Sequence, residues 1–150
     1  MTSITPFAAL LLTATLAAAT VTDLRARRIP NRLTAAAAAL GLVLAATSGS
    51  TALINALAAA SAVAAPLLVV SLIRPEGIGM GDVKLVAVLG LYLGWAAWPA
   101  LLIALVLASL TGVLLALGTR TPPSQTALPL APFIAAGSLP VLMLALNPLQ

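Results

Sequence analysis

Three side chains in the 150 residues carry a carboxylate: Asp23, Glu76 and Asp82. Histidine and cysteine are both absent. Ser-His and Cys-His nucleophiles, zinc-binding His pairs and imidazole relays are therefore excluded together. Thiolate metal sites and disulfides go with them, and the reading needs no metal and no cofactor. Carboxylate chemistry is what remains. Asp23 closes one apolar run, and Asp82 opens another in "GIGMGDVKLVAVLG", residues 77–90. If both runs are helices, the two acids lie at matching ends and meet where the helices pack side by side. Two carboxylates in one site cannot both ionise easily, so the pair holds a single proton and titrates as a unit. The ionised member can take a proton from water as it attacks a peptide carbonyl, while the protonated member donates to the developing oxyanion.

Each acid also has a plainer role. Asp82 reads as the N-cap of its helix, and Asp23 as a partner for Arg27 one turn on. Taken together they argue otherwise, because ionisable groups at membrane depth are costly and point to function. An N-cap also needs no "GIGMG" before it. Gly79 and Gly81 remove side chains beside Asp82, leaving room for an extended peptide backbone. In "RRIPN", Pro30 holds Ile29 extended and Asn31 reads as the cap of the next helix. A Ser-Lys hydrolase would use Lys84 with Ser71 or Ser109, but neither serine sits in a nucleophile motif.

The elements that must position these acids are apolar. The chain is 62% hydrophobic and 7% charged, far fewer charges than a soluble surface requires. Runs of about 18 or more apolar residues recur, each long enough to cross a bilayer as a helix. The expected fold is all-α and polytopic, a single transmembrane domain over residues 1–150 with about six helices. These run near Ile4 to Val21, Leu33 to Ala46, Leu53 to Ile73, Asp82 to Gly94, Pro99 to Leu117 and Leu128 to Leu146. Pro66, Pro132 and Pro140 fall inside runs and are expected to kink them. The opening "MTSITP" lacks a basic region, so the first run reads as a retained span and not as a signal peptide.

Every charge falls in alternate connections. Arg25, Arg27, Arg28 and Arg32 follow span one; Arg74, Glu76, Asp82 and Lys84 follow span three; Arg120 follows span five. The positive-inside rule puts these connections in the cytoplasm and both termini outside, with Trp95 and Trp98 in the outer interfacial belt. The net charge of +4 is thereby used in topology. No basic stripe with interleaved aromatics speaks for nucleic acid.

The segment "TDLRARRIPN" resembles the aspartate-to-IPN segment of type IV prepilin peptidases, and "GMGD" resembles their GxGD segment. "GDVKLVAVLGLYLG" continues in the family manner, and "LPLAPFIAAG" is similar to a third family stretch, departing from it at Leu130 and Ala131. The resemblance implies an aspartic endopeptidase of the bacterial cytoplasmic membrane that removes leaders from pilin-like precursors at the cytoplasmic face. Asp23 and Asp82 match its catalytic aspartates, and Gly79, Gly81, Lys84, Pro30, Asn31, Pro132 and Phe133, which lie in the resembling segments, are expected to bind substrate or shape the site. Family members that also methylate the new N-terminus carry a four-cysteine zinc insertion. Its absence here leads us to expect cleavage without methylation, as in the short peptidases serving Flp-type or tight-adherence pili. A small ion-coupled transporter using both aspartates, and a non-catalytic pilus-assembly protein, are the alternatives. Transporter sites tend to lie near the midplane, whereas these acids are expected at one edge.

Overall fold

The computed structural model describes residues 4–74, 78–119 and 129–146. Glu76, Gly77, Arg120 and the expected start of the last helix at Leu128 lie outside the described residues. Six α-helices account for nearly all of what is described: α1 (Pro6–Ala26), α2 (Asn31–Thr47), α3 (Ser50–Ile73), α4 (Met80–Leu93), α5 (Ala97–Thr119) and α6 (Ala131–Ala145). Each stands on one of the six expected apolar runs. The protein is all-α and membrane-embedded.

Among the described residues, three stretches are long and apolar enough to cross a membrane: Pro6–Ala26, Ser50–Ile73 and Met80–Gly118. The third is broken in the middle. Gly94 adopts φ 57°, ψ −138°, a conformation open mainly to glycine. A short 3-10 turn, Gly94–Ala96, then separates α4 from α5. Helices α2 and α6 are shorter apolar helices. Pro66 and Pro140 are internal to α3 and α6 as expected. Pro132 is not internal: it occupies the first turn of α6, where the missing N–H costs nothing and no kink follows.

Helix α4 is the centre of the bundle and packs against all five others. Leu85, Val86, Val88 and Leu89 on it are almost wholly buried, together with Leu12 of α1, Val63 of α3, Leu101 of α5 and Ile134 of α6. In a bilayer, close backbone approach replaces the hydrophobic drive for helix association, and two glycines provide it. A Cβ on Gly90 would overlap the backbone of Ala60, at the crossing of α4 and α3. A Cβ on Gly137 would overlap the backbone of Ala100 and Ala104, where α6 crosses α5. Helices α2 and α4 are joined through Tyr92, whose hydroxyl donates to the Ala37 carbonyl at 3.0 Å. Replacing Gly90 with alanine should therefore cost about 1–3 kcal/mol through overpacking. Gly118→Ala, with open space around it, should be neutral or stabilising by up to about 1 kcal/mol. Thermal unfolding of both variants in detergent checks the contrast.

Candidate active site

Four helix termini converge at one end of the bundle. Asp23 sits in the last turns of α1 and is buried. Its Oδ2 accepts a hydrogen bond from the backbone N–H of Ala131 at 3.1 Å, the first residue of α6. Lys84, in the first turns of α4, donates from Nζ to Asn31 Oδ1 at 2.9 Å, the first residue of α2. The C-terminal turn of α1 and the N-terminal turns of α2, α4 and α6 thus share one layer. Trp95 and Trp98 lie beyond the other end of α4.

The N-cap of α6 is Leu130, whose side chain makes no capping hydrogen bond. Leading N–H groups without partners are costly when buried. A carboxylate from another helix meets that need, and the positive end of α6 favours the negative charge it receives. Asp23 is thus the cap of a helix 108 residues away. This contact was missed by sequence reasoning. The signal was present: a helix start marked by Pro132 but lacking Ser, Thr, Asp or Asn before it. Pro132 and Phe133 occupy the same turn, half-buried, with Phe133 packed against the core.

Asp82 is the third residue of α4, and Gly79 is the N-cap, so the expected capping position of Asp82 is corrected by three residues. Its half-buried carboxyl turns back toward the Gly79 backbone N–H, in the manner of the acidic member of a capping box. A Cβ at Gly79 would come within 3.2 Å of Asp82 Oδ2, so the missing side chain gives its space to the acid itself. Asp23 and Asp82 thus lie in the same layer, at the end of α1 and the start of α4.

Gly81 has another neighbour. A Cβ there would lie 3.2 Å from Ile29 Cβ. The room expected for a peptide backbone is therefore filled, at this glycine, by the α1–α2 connector. Asn31 departs from expectation too: Pro30 is the N-cap of α2, with no side-chain cap bond, and Asn31 spends its oxygen on Lys84. That bond also occupies Lys84 with an exposed amide, which removes support from a Ser-Lys base. Arg27 makes no side-chain ion pair with Asp23. It ends α1 in a left-handed conformation, φ 49°, ψ 36°, and its N–H donates to the Asp23 carbonyl at 2.8 Å.

No group of three or more metal-ligating side chains occurs among the described residues. The site is a pair of acids in a layer of helix ends, each close to a backbone N–H.

The sequence profile of the type IV leader peptidase family matches residues 10–117, a stretch containing both aspartates and Lys84. The chain belongs to that family. The prepilin leader peptidase/N-methyltransferase of Aeromonas hydrophila is 36% identical over 138 residues, covering 85% of this chain and 46% of the relative. Its namesake in Pseudomonas putida is 46% identical over 69 residues, covering 45% of this chain and 24% of the relative. The protein of that name in Burkholderia pseudomallei strain 1026b is 42% identical over 62 residues, covering 41% and 20%. The chain therefore spans at most about half the length of these curated relatives. No solved structure gives a significant match.

Asp23→Asn keeps an acceptor for the Ala131 N–H and should leave stability nearly unchanged. Asp23→Leu orphans that buried donor and should lose about 1–3 kcal/mol. Denaturation of the two purified variants distinguishes them.

Proposed function

We propose that the chain is a membrane-embedded aspartic endopeptidase that cleaves the leader from type IV prepilin-like precursors. The observation that carries this reading is the placement of both acids in one layer of helix ends, Asp23 in the last turns of α1 and Asp82 in the first turn of α4, in a chain of the leader peptidase family. Each acid stands beside a backbone N–H at a helix terminus, so the protein supplies donors that a lipid environment does not.

In this reading the two carboxyls share one proton and act as a unit. The ionised member draws a proton from water, and the oxygen of that water attacks the scissile carbonyl. The protonated member donates to the carbonyl oxygen as negative charge develops there. Collapse of the tetrahedral intermediate expels the amine of the new N-terminus, which takes up a proton, and the pair is returned to its starting state. The Ala131 N–H keeps Asp23 oriented. Ile29 against Gly81, and Lys84 on Asn31, hold the start of α4 and with it Asp82. Gly79 leaves Asp82 free to turn.

The finer reading is a peptidase of the cytoplasmic membrane working at its cytoplasmic face, without N-methylation, on Flp-type or tight-adherence precursors. It is supported by arginines clustered at the aspartate end of the bundle and by the motif resemblance. A transporter reading is not favoured, since both acids sit at one end of the bundle and not at its middle.

Co-expression with candidate precursors, followed by gel mobility and N-terminal sequencing, tests the activity. Asp23→Asn and Asp82→Asn should each reduce processing by roughly 10²-fold or more while the protein remains folded in the membrane. Glu76→Gln should process normally. Undiminished cleavage by either aspartate variant would sink the dyad. The mass of the mature N-terminus reports whether a methyl group has been added.

Sidedness has its own test, made simple by the cysteine-free chain. Arg28→Cys should react with an impermeant thiol reagent only from the cytoplasmic side, and Ser48→Cys only from the opposite side. The reverse pattern would invert the topology.

A further inference from the structure

The connection between α1 and α2 encloses a groove of about 480 Å³, lined by Val21, Thr22, Arg25, Arg28, Ile29 and Pro30 among others. Asp23 is not among its walls, so the groove is separate from the aspartate pair. Its charged groups are both cations. Arg25 and Arg28 are exposed and make no ion pair among the described residues. Acids to neutralise them are scarce. The chain has three; Asp23 is committed to Ala131, and the Asp82 carboxyl lies beside Gly79. Thr22 spends its hydroxyl proton on the Ala18 and Ala19 carbonyls.

One edge of the groove is apolar and faces outward. Val21 lies in its wall, and Val21 and Leu24 are both exposed on the flank of α1, where a membrane helix meets acyl chains. A pair of planar guanidinium forks above an apolar flank, at the end of a spanning helix, suits a phosphate diester whose tail runs into the bilayer. Basic pockets between helix ends at the membrane surface are the setting in which acidic headgroups are held.

We propose that this groove binds the headgroup of an anionic phospholipid, with the phosphate between Arg25 and Arg28 and an acyl chain along Val21 and Leu24. The far wall is the stretch that bears on the start of α4, through Ile29 against Gly81 and Asn31 on Lys84. A headgroup seated there braces the connector beside Asp82. The proposal rests on the membrane reading of the chain and not on the peptidase reading, so lipid binding and cleavage can fail independently.

The test uses the delipidated 150-residue chain in a neutral detergent. Thermal unfolding and native mass spectrometry are followed as phosphatidylglycerol, phosphatidylcholine or inorganic phosphate is added. Phosphatidylglycerol should raise the melting temperature and remain bound, and phosphatidylcholine should do neither. The Arg25→Gln/Arg28→Gln double variant should bind phosphatidylglycerol roughly 30-fold more weakly, two contacts at about 1 kcal/mol each. Arg27→Gln/Arg32→Gln removes the same charge outside the groove lining and should bind as the parent does. Equal loss in both double variants would reduce the effect to general surface charge and overturn the site. Equal stabilisation by inorganic phosphate would make it a free-anion site instead. Intact lipid binding in Arg25→Gln/Arg28→Gln, with a raised KM for precursor, would reassign the groove to the peptide substrate.

Discussion

A carboxylate buried among apolar helices must receive hydrogen-bond donors from the protein, because lipid offers none and the desolvation cost amounts to several kcal/mol. Asp23 meets this demand by accepting the first N–H of α6, and much of the architecture serves to keep that donor in place. Helix α6 is held against α5 at Gly137, where no side chain intervenes between the backbones. Asp82 meets the same demand locally, by turning back on the start of its own helix. The start of α4 is in turn fixed by Ile29 packing on Gly81 and by the Lys84–Asn31 bond. The acids are therefore tied to different partners, and their mutual approach is a property of the whole bundle.

The central position of α4 follows from its composition. Glycine at 90 lets α3 come within backbone contact, and small residues on α3, such as Ala59 and Ala60, are buried. On the α2 side, Gly41 faces the Tyr92 ring, whose hydroxyl reaches the Ala37 carbonyl. Close packing without bulky interlocking side chains suits a bilayer, where association depends on van der Waals contact and interhelical hydrogen bonds. Helices apolar on every side, as these are, present little periodicity from which to read their neighbours.

That is why sequence reading succeeded along the chain and weakened across it. Six helices were visible as apolar runs, because length and hydropathy decide a span almost alone. The acids stood out because a carboxylate at such depth has few innocent explanations. Neighbour relations were another matter. That Leu130 lacks a capping side chain was readable; that Asp23 would supply one from the other end of the chain was not. From sequence, Gly79 and Gly81 both read as clearing a path for a peptide. One instead accommodates the Asp82 carboxyl and the other accommodates Ile29, a distinction that spacing along a strand of glycines cannot make. Asn31 looked like a helix cap because it follows Pro30, yet the proline takes that position and the asparagine turns to Lys84.

The left-handed turn at Arg27 has a consequence for how such chains can vary. Its N–H is pinned to the carbonyl of Asp23, while two residues later Ile29 is wedged against Gly81. The short stretch between acts as a spacer cut to length. Inserting or deleting one residue there would change the reach of the connector by about 3.5 Å and unseat Ile29 from Gly81, loosening the start of α4 that carries Asp82. Its count of residues is therefore held more tightly than the spacing of the sequence alone suggests.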